Sequence, residues 1–346
     1  MRLLIALFLC FALSPIGWPM PFAVPSSARA EEEEPPVIRL AVLRFGTVNW
    51  LTETLLTNGL DRAEGIRLEV IPLAGKAATT IAFQAGDADV IVTDWVWAMG
   101  RRHAGDDLRF APYSAALGAL MTRPEADIDG VCALRDRDVG VVGGELDKSW
   151  LIYEALATRA CNFSLPDGTR TLFGAPPLMS RQLETGGVDA VSTYWHFAAR
   201  LRAKGMRRTL DVKGALAALD IAPAPPMVGF VWNADRVAPE TIAAFLRAVG
   251  QATDLLAKDD GTWATLMPLM RVESGAAFRQ LRDDYRAGIV SGWRDSDTEA
   301  AQRLYAILRE TGGETFQRGA GVWDPALFEA PGPFDRDPPS DGDGGG

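Results

Sequence analysis

The chain has 346 residues, 48% hydrophobic and 23% charged, with a formal net charge of −10. That length and apolar content suit a globular protein with enough core for two lobes. The acidic balance excludes a basic nucleic-acid-binding surface, and having only two histidines, His103 and His196, excludes a histidine-rich metal site.

At the N-terminus, Arg2 precedes an apolar run from Leu3 to Leu13, and small and proline-rich residues lead to Ala28-Arg29-Ala30. A positive start, a short apolar core and an A-x-A end predict a secretory signal peptide over residues 1–30, too short for a stable membrane span. A retained N-terminal anchor is the competing reading. Cys10 follows Leu9 inside the apolar run, without the small residue expected ahead of a lipid-modified cysteine. Cleavage after Ala30 leaves an acidic leader, "EEEEPP" (31–36), on an exported protein, periplasmic in a Gram-negative cell. Cys132 and Cys161 then remain; in an oxidising compartment they either pair or persist as two buried thiols.

"VIRLAVLRF" (37–45) alternates as a strand, and "GTVNWLTETLLTNGLDRAEG" follows as turn and helix. "IRLEVIPL" (66–73) predicts a second strand, "GKAATTIAFQAGDA" a loop and helix, and "DVIVT" a third strand. This β-loop-α rhythm is that of a parallel sheet with crossover helices. After "RFAPYSAALGALMTR", read as further strand, the rhythm restarts at Asp138–Gly144 and continues through the helix "SWLIYEALATRAC". "LMSRQLETGG" predicts a glycine-capped helix and "VDAVSTYW" a buried strand. A proline-rich stretch, Ile221 to Met227, marks a crossover, and "VGFVWNADRV" returns as a strand. "PETIAAFLRAVGQATDLLAKD" is a strongly amphipathic helix with proline at its start. The acidic, glycine-rich tail (331–346) lacks apolar content and is expected to be disordered and solvated rather than a calcium loop. The chain is thus predicted to be an α/β protein of two lobes, 37–120 with 227–320 and 121–226, joined by crossovers.

Ligands in open α/β sheets sit beyond the carboxyl ends of the strands. Those ends carry Asn49 and Trp50; Gly75 and Lys76; Thr93, Asp94, Trp95 and Trp97; Gly143, Gly144, Glu145, Asp147, Lys148, Ser149 and Trp150; and Ser192, Thr193, Tyr194, Trp195 and His196. Placed polar groups beside aromatics at several strand ends fit a small-molecule pocket. Asp94 is equally suited to cap the helix that follows it. Trp95 and Trp97 face different directions on that helix, and Trp95 is expected in the cleft with Trp97 in the core. Gly143-Gly144 is compatible both with an anion site at a helix N-terminus and with a tight strand-helix turn.

"AFQAGDADVIVTD" resembles a block found in solute-binding proteins of the nitrate, sulfonate, taurine and thiamine-precursor group. "QLETGGVDAVSTYWHFAARL" resembles the second-lobe block of the same group, and "RVAPETIAAFLRAVGQATDLL" its C-terminal helix. The likeness runs from Val37 to about Thr311. It implies the type II-like periplasmic-binding-protein fold of two α/β lobes around a ligand cleft. It also implies a monomer that binds a small molecule, delivers it to the membrane permease of an ABC importer, and carries no cofactor. The positions matching the cleft-lining segments are Asn49, Trp50, Thr93, Asp94, Asp147, Lys148, Trp150, Tyr194 and Trp195. Asp94, Glu145 and Asp147 depart from an anion binder, and an acidic, aromatic cleft suits a cationic amine, a heteroaromatic ring or a chelated metal, unless Lys76 and Lys148 point inward. A hydrolase is the rival class, but Ser149 lies in no G-x-S-x-G elbow and neither histidine sits in a triad context, so no catalytic residue is assigned. A transferase of thiamine-precursor synthesis shares the fold within the group, but such enzymes are intracellular and a signal peptide argues against that reading.

Overall fold

The computed structural model describes residues 34–329. The expected signal peptide, the first acidic residues of the leader, and the expected disordered tail lie outside them. Ten strands alternate with helices: β1 (Val37–Leu43), β2 (Arg67–Leu73), β3 (Val90–Asp94), β4 (Leu108–Ser114), β5 (Ala119–Thr122), β6 (Asp138–Val142), β7 (Arg170–Gly174), β8 (Ala190–Thr193), β9 (Arg207–Asp211) and β10 (Val228–Asn233).

They form two five-stranded sheets, ordered β2-β1-β3-β10-β4 and β7-β6-β8-β5-β9. Within each, the first three strands of the order run parallel, and the fourth lies antiparallel to both of its neighbours. The two orders are the same pattern, and in each the antiparallel strand is supplied by the other half of the chain. β5 leaves the first sheet's sequence to complete the second, and β10 returns after the proline-rich stretch to complete the first. The first crossing therefore falls at Ala115–Gly118, slightly ahead of residue 120. The protein is a two-lobed α/β fold.

Local chemistry repeats between the lobes. The helix Lys76–Ala85 ends at Gly86 with φ 83°, and the helix Pro176–Thr185 ends at Gly186 with φ 77°. A left-handed cap strains any residue with a Cβ, so glycine sits at both places. The acids that follow are structural. Asp89 accepts hydrogen bonds from the Arg39 backbone N–H (2.9 Å) and guanidinium, and Asp189 accepts from the Asp138 N–H (3.0 Å). Each carboxylate thus registers the third strand of its lobe against the first.

Burial on both faces explains the continuous apolar strands. Val90 and Ile91 are both fully buried, yet they face opposite cores, as alternation along a strand requires. The helix Pro239–Lys258 packs on the helix Val48–Thr57 outside the first sheet. The later helices lean on the second lobe, Gly275–Ala287 against Trp195–Ala203 and Asp295–Thr311 against Lys148–Cys161. The sulfurs of Cys132 and Cys161 are bonded, with the Cα atoms 5.6 Å apart. No helix among the described residues is long and apolar enough to cross a membrane.

Trp95 is the main correction to the sequence reading. It is fully buried in the core, not at the cleft, with its ring about 6 Å from those of Tyr305, Trp323 and Phe328. Helical spacing explains the side it takes, because Trp95, Ala98 and Met99 form one buried face of the helix Trp95–His103. The partners arrive from more than 200 residues downstream. Trp97 is half-buried, edge-on to Phe83 at 6.1 Å.

Candidate functional site

Asp94 closes β3 and begins the next helix. Its Oδ1 accepts the Trp97 backbone N–H at 3.0 Å, which is the expected cap. Its Oδ2 accepts from the Lys76 ammonium, carried at the start of the helix after β2. The Lys148 ammonium lies 3.5 Å from Oδ1 and belongs to the helix after β6, in the other lobe. Burial alone pushes the Asp94 carboxyl up, but Lys148, Lys76 and the Trp97 N–H outweigh it and hold the group well below the usual carboxylate range.

Across the gap, Asp147 caps the helix Lys148–Cys161 by accepting the N–H groups of Ser149 (3.0 Å) and Trp150 (3.3 Å). Burial raises its pKa, with the Trp150 N–H and Lys148 opposing. Gly143 and Gly144 both have left-handed φ, at 96° and 86°, and a Cβ on Gly143 would come within 2.6 Å of the Asp147 carboxylate. The glycine pair thus serves the tight turn that seats Asp147.

Tyr194 follows β8, is 37% exposed and stacks on His196 with centroids 6.2 Å apart. Its pKa is pushed up to about 12 by burial and then by the charges of Asp147 and Asp94. Thr93 is the last residue but one of β3 and Thr193 the last of β8, equivalent strands of the two sheets. Both hydroxyls are buried and neither has a hydrogen-bond partner. Behind them, a Cβ on Gly118 would lie 2.7 Å from the Thr193 carbonyl and 2.8 Å from Ser149 Oγ, so the crossing segment runs tightly against the second lobe's strand end.

Of the expected residues, Asp94 and Lys148 therefore meet across the lobes; Thr93 and Asp147 precede them in the chain, and Tyr194 follows β8. Lys76, outside the expected ligand set, joins Asp94; its position shortly after a strand was the signal available in sequence. The remaining expected residues stand elsewhere. Asn49 donates its amide to the Leu43 (2.8 Å) and Gly46 (2.7 Å) carbonyls and pins the turn after β1. Trp50 is 4% exposed among Trp263, Tyr285 and Trp195, and Trp150 is 2% exposed in the buried cluster that also holds Trp95 and Tyr305. Trp195 is half-buried at the lobe junction, edge-on to Trp50 at 6.1 Å. The aromatic walls expected of the cleft thus reduce to Tyr194, because the indoles are used to pack cores and join lobes.

A cavity of about 140 Å³ lies apart from these groups, behind the crossing segment. Ala116, Leu117, Trp195, Arg208, Lys213 and Asp284 are among its walls, and neither Asp94 nor Asp147 lines it. Among the described residues, no cluster of three or more His, Cys, Asp or Glu side chains could hold a metal ion.

No protein-family model matches the chain, and no curated protein sequence does. Solved structures do match it. The periplasmic aliphatic sulphonate binding protein SsuA of Escherichia coli superposes with a TM-score of 0.63 at 14% identity, over 79% of this chain and 91% of that one. The chain has the two-lobed fold of the periplasmic binding proteins. The alkanesulfonate-binding protein SsuA of Xanthomonas axonopodis pv. citri, solved with MOPS bound, gives 0.62 at 14% identity over 81% and 94%. The desulfurization enzyme DSZB gives 0.55 at 19% identity over 80% and 92%, so the same fold also carries catalysis.

Proposed function

We propose that this protein is the extracytoplasmic solute-binding component of an ABC-type importer, a monomer that captures a small molecule between its lobes and delivers it to a membrane permease. The fold supports the class. The observation that carries the binding site is the pair of unsatisfied, buried hydroxyls of Thr93 and Thr193 near the ends of β3 and β8, together with the Lys76 and Lys148 ammoniums that converge on Asp94, the residue after Thr93. Unpartnered buried polar groups are costly, and a site built to hold a ligand is where such a cost is recovered.

The donor set changes the ligand class argued from sequence. Asp94 accepts hydrogen bonds on both oxygens within the protein and Asp147 caps its helix through Oδ1, so both carboxylates are engaged before a cationic amine arrives. Two hydroxyls, two ammoniums and a phenol suit an acceptor-rich head group. The sulfonate-binding neighbours make organic sulfonates the first compounds to test. Titration calorimetry with MOPS and other sulfonates, alongside amines, heterocycles and metal complexes, tests this ligand class. The reading expects one saturable site and preference for acceptor-rich compounds, and tight binding of a bare amine would overturn it.

An exported enzyme is the second reading, favoured by the fold shared with the desulfurization enzyme. Against it, Cys132 and Cys161 are joined to each other, and burial and then Arg200 push the His196 imidazole down to about 4, which leaves a weak base. Turnover of a sulfur-containing substrate by the purified protein would decide for the enzyme.

A further inference from the structure

We propose that the cavity behind the crossing segment is a second small-molecule site, built for a short monocarboxylate and separate from the strand ends that carry the proposed solute site.

Four segments meet around it: the crossing at Ala115–Ala119, the start of the helix Trp195–Ala203, the end of β9 with Lys213, and the end of the helix Gly275–Ala287 with Gly288. Small side chains keep the space open, with Ala116, Ala198 and Ala287 on its walls. Two of those walls are locked together. The Ala115 N–H donates to the Gly288 carbonyl at 2.8 Å, and a Cβ on Gly288 would come within 2.5 Å of the Ala116 Cβ. The volume is therefore enclosed by packed backbone rather than left between loose loops.

Four charged side chains line the cavity, two of each sign, and the acids are the engaged pair. Asp284 accepts from the Arg202 guanidinium at 3.3 and 3.4 Å and from the Gln280 amide at 2.9 Å. Asp211 accepts the Gly214 N–H at 2.7 Å, and Arg208 approaches its other oxygen only to 4.0 Å. Among the described residues, no group accepts a hydrogen bond from the Arg208 guanidinium, the Lys213 ammonium or the Trp195 indole N–H. Setting Arg202 against Asp284 and Arg208 against Asp211 leaves Lys213 as the unbalanced charge. One surplus positive charge with three unused donor groups matches a monoanion.

Shape narrows the class. The planar fork of a guanidinium fits a carboxylate through two parallel hydrogen bonds. The Trp195 ring and the alanines offer an apolar wall for a short body beside that head group. The cavity measures about 140 Å³. An apolar cavity of about 150 Å³ admits benzene, so the room here is for roughly six non-hydrogen atoms, the size of butyrate.

Titration of the purified protein with sodium butyrate at constant ionic strength, read by broadening of the butyrate NMR signals, tests the site. Saturable binding is expected, with no matching response to butylammonium. Arg208→Gln/Lys213→Gln should weaken it by about tenfold or more, because both charge-assisted contacts are lost. Ala287→Leu, at an exposed wall position, should abolish it by filling the space while keeping both cations. Thr93→Val/Thr193→Val should bind butyrate as the native chain does. Absence of saturable binding would overturn the proposal, as would native affinity in the charge variant or in Ala287→Leu. Loss of butyrate binding in the threonine variant would place the ligand at the strand ends instead, and inorganic phosphate binding as tightly as butyrate would refute the carboxylate assignment. MOPS titrated into the same samples reads the strand ends separately. Sulfonate binding without butyrate binding strikes only this second site, and butyrate binding without sulfonate binding counts only against the first.

Discussion

Thr93 and Thr193 occupy corresponding ends of β3 and β8, one in each sheet, and both present a buried hydroxyl that nothing in the chain satisfies. Such a hydroxyl costs on the order of 1–3 kcal/mol when it has no partner. Thr93→Val and Thr193→Val keep the side-chain shape while removing it. Both variants are expected to melt at or above the native temperature without ligand, and to lose ligand affinity. Paired melting and binding titrations check this, and a loss of stability with full affinity would assign the threonines to the scaffold.

Trp95 and Tyr194 should separate packing from binding. Trp95→Ala removes a fully buried ring from the cluster of Tyr305, Trp323 and Phe328 and should cost about 3–5 kcal/mol of stability. Tyr194→Ala, at a site 37% exposed, should cost little stability and weaken binding. Denaturant unfolding of each variant, with titration of the one that folds, tests the division.

Much of this arrangement is legible in the chain itself because it is set locally. The glycine caps at Gly86 and Gly186, the strand acids Asp89 and Asp189, and the capping aspartates Asp94 and Asp147 act on residues a few positions away or on the neighbouring strand. The direction of the tryptophans is not local. Trp95 turns inward because residues 323–328 cover it, and Trp50 because Trp263 and Tyr285 do, and such partners leave no mark on the surrounding sequence. Charge balance fails for a related reason. Asp94 and Asp147 read as free acids in sequence, whereas Lys76, Lys148 and helix N–H groups engage both oxygens of Asp94 and Oδ1 of Asp147 in three dimensions.

Acid should weaken the fold through His196. Its pKa is pushed down to about 4 by burial and then by Arg200, from an ordinary value of 6.5. Between those values the unfolded chain binds the proton and the folded one does not, so stability is present above about pH 6.5 and is lost as pH falls toward 4. The effect should be on the order of 2 kcal/mol, discounted because the ring keeps some solvent contact. His196→Gln should flatten the stability profile over that window, as read by denaturant unfolding at several pH values. Asp94 adds a second loss of the same sign below the usual carboxylate range, where its depressed pKa begins to be titrated.

The bond between Cys132 and Cys161 closes a segment with a sequence separation of 29. Constraining a loop of that size is worth about 3 kcal/mol. Cys132→Ser is expected to lower the melting temperature while leaving ligand affinity unchanged. Non-reducing peptide mapping of the purified protein should recover the two cysteines in one linked fragment.

The most direct test is native mass spectrometry of the protein released from cells by osmotic shock. A solute-binding protein should begin near Glu31 and carry one small molecule per chain, and that adduct should vanish from a Thr93→Val/Thr193→Val variant that still folds. A chain that never carries an adduct, or a variant that retains the adduct at the same occupancy, would contradict capture of a solute between the strand ends.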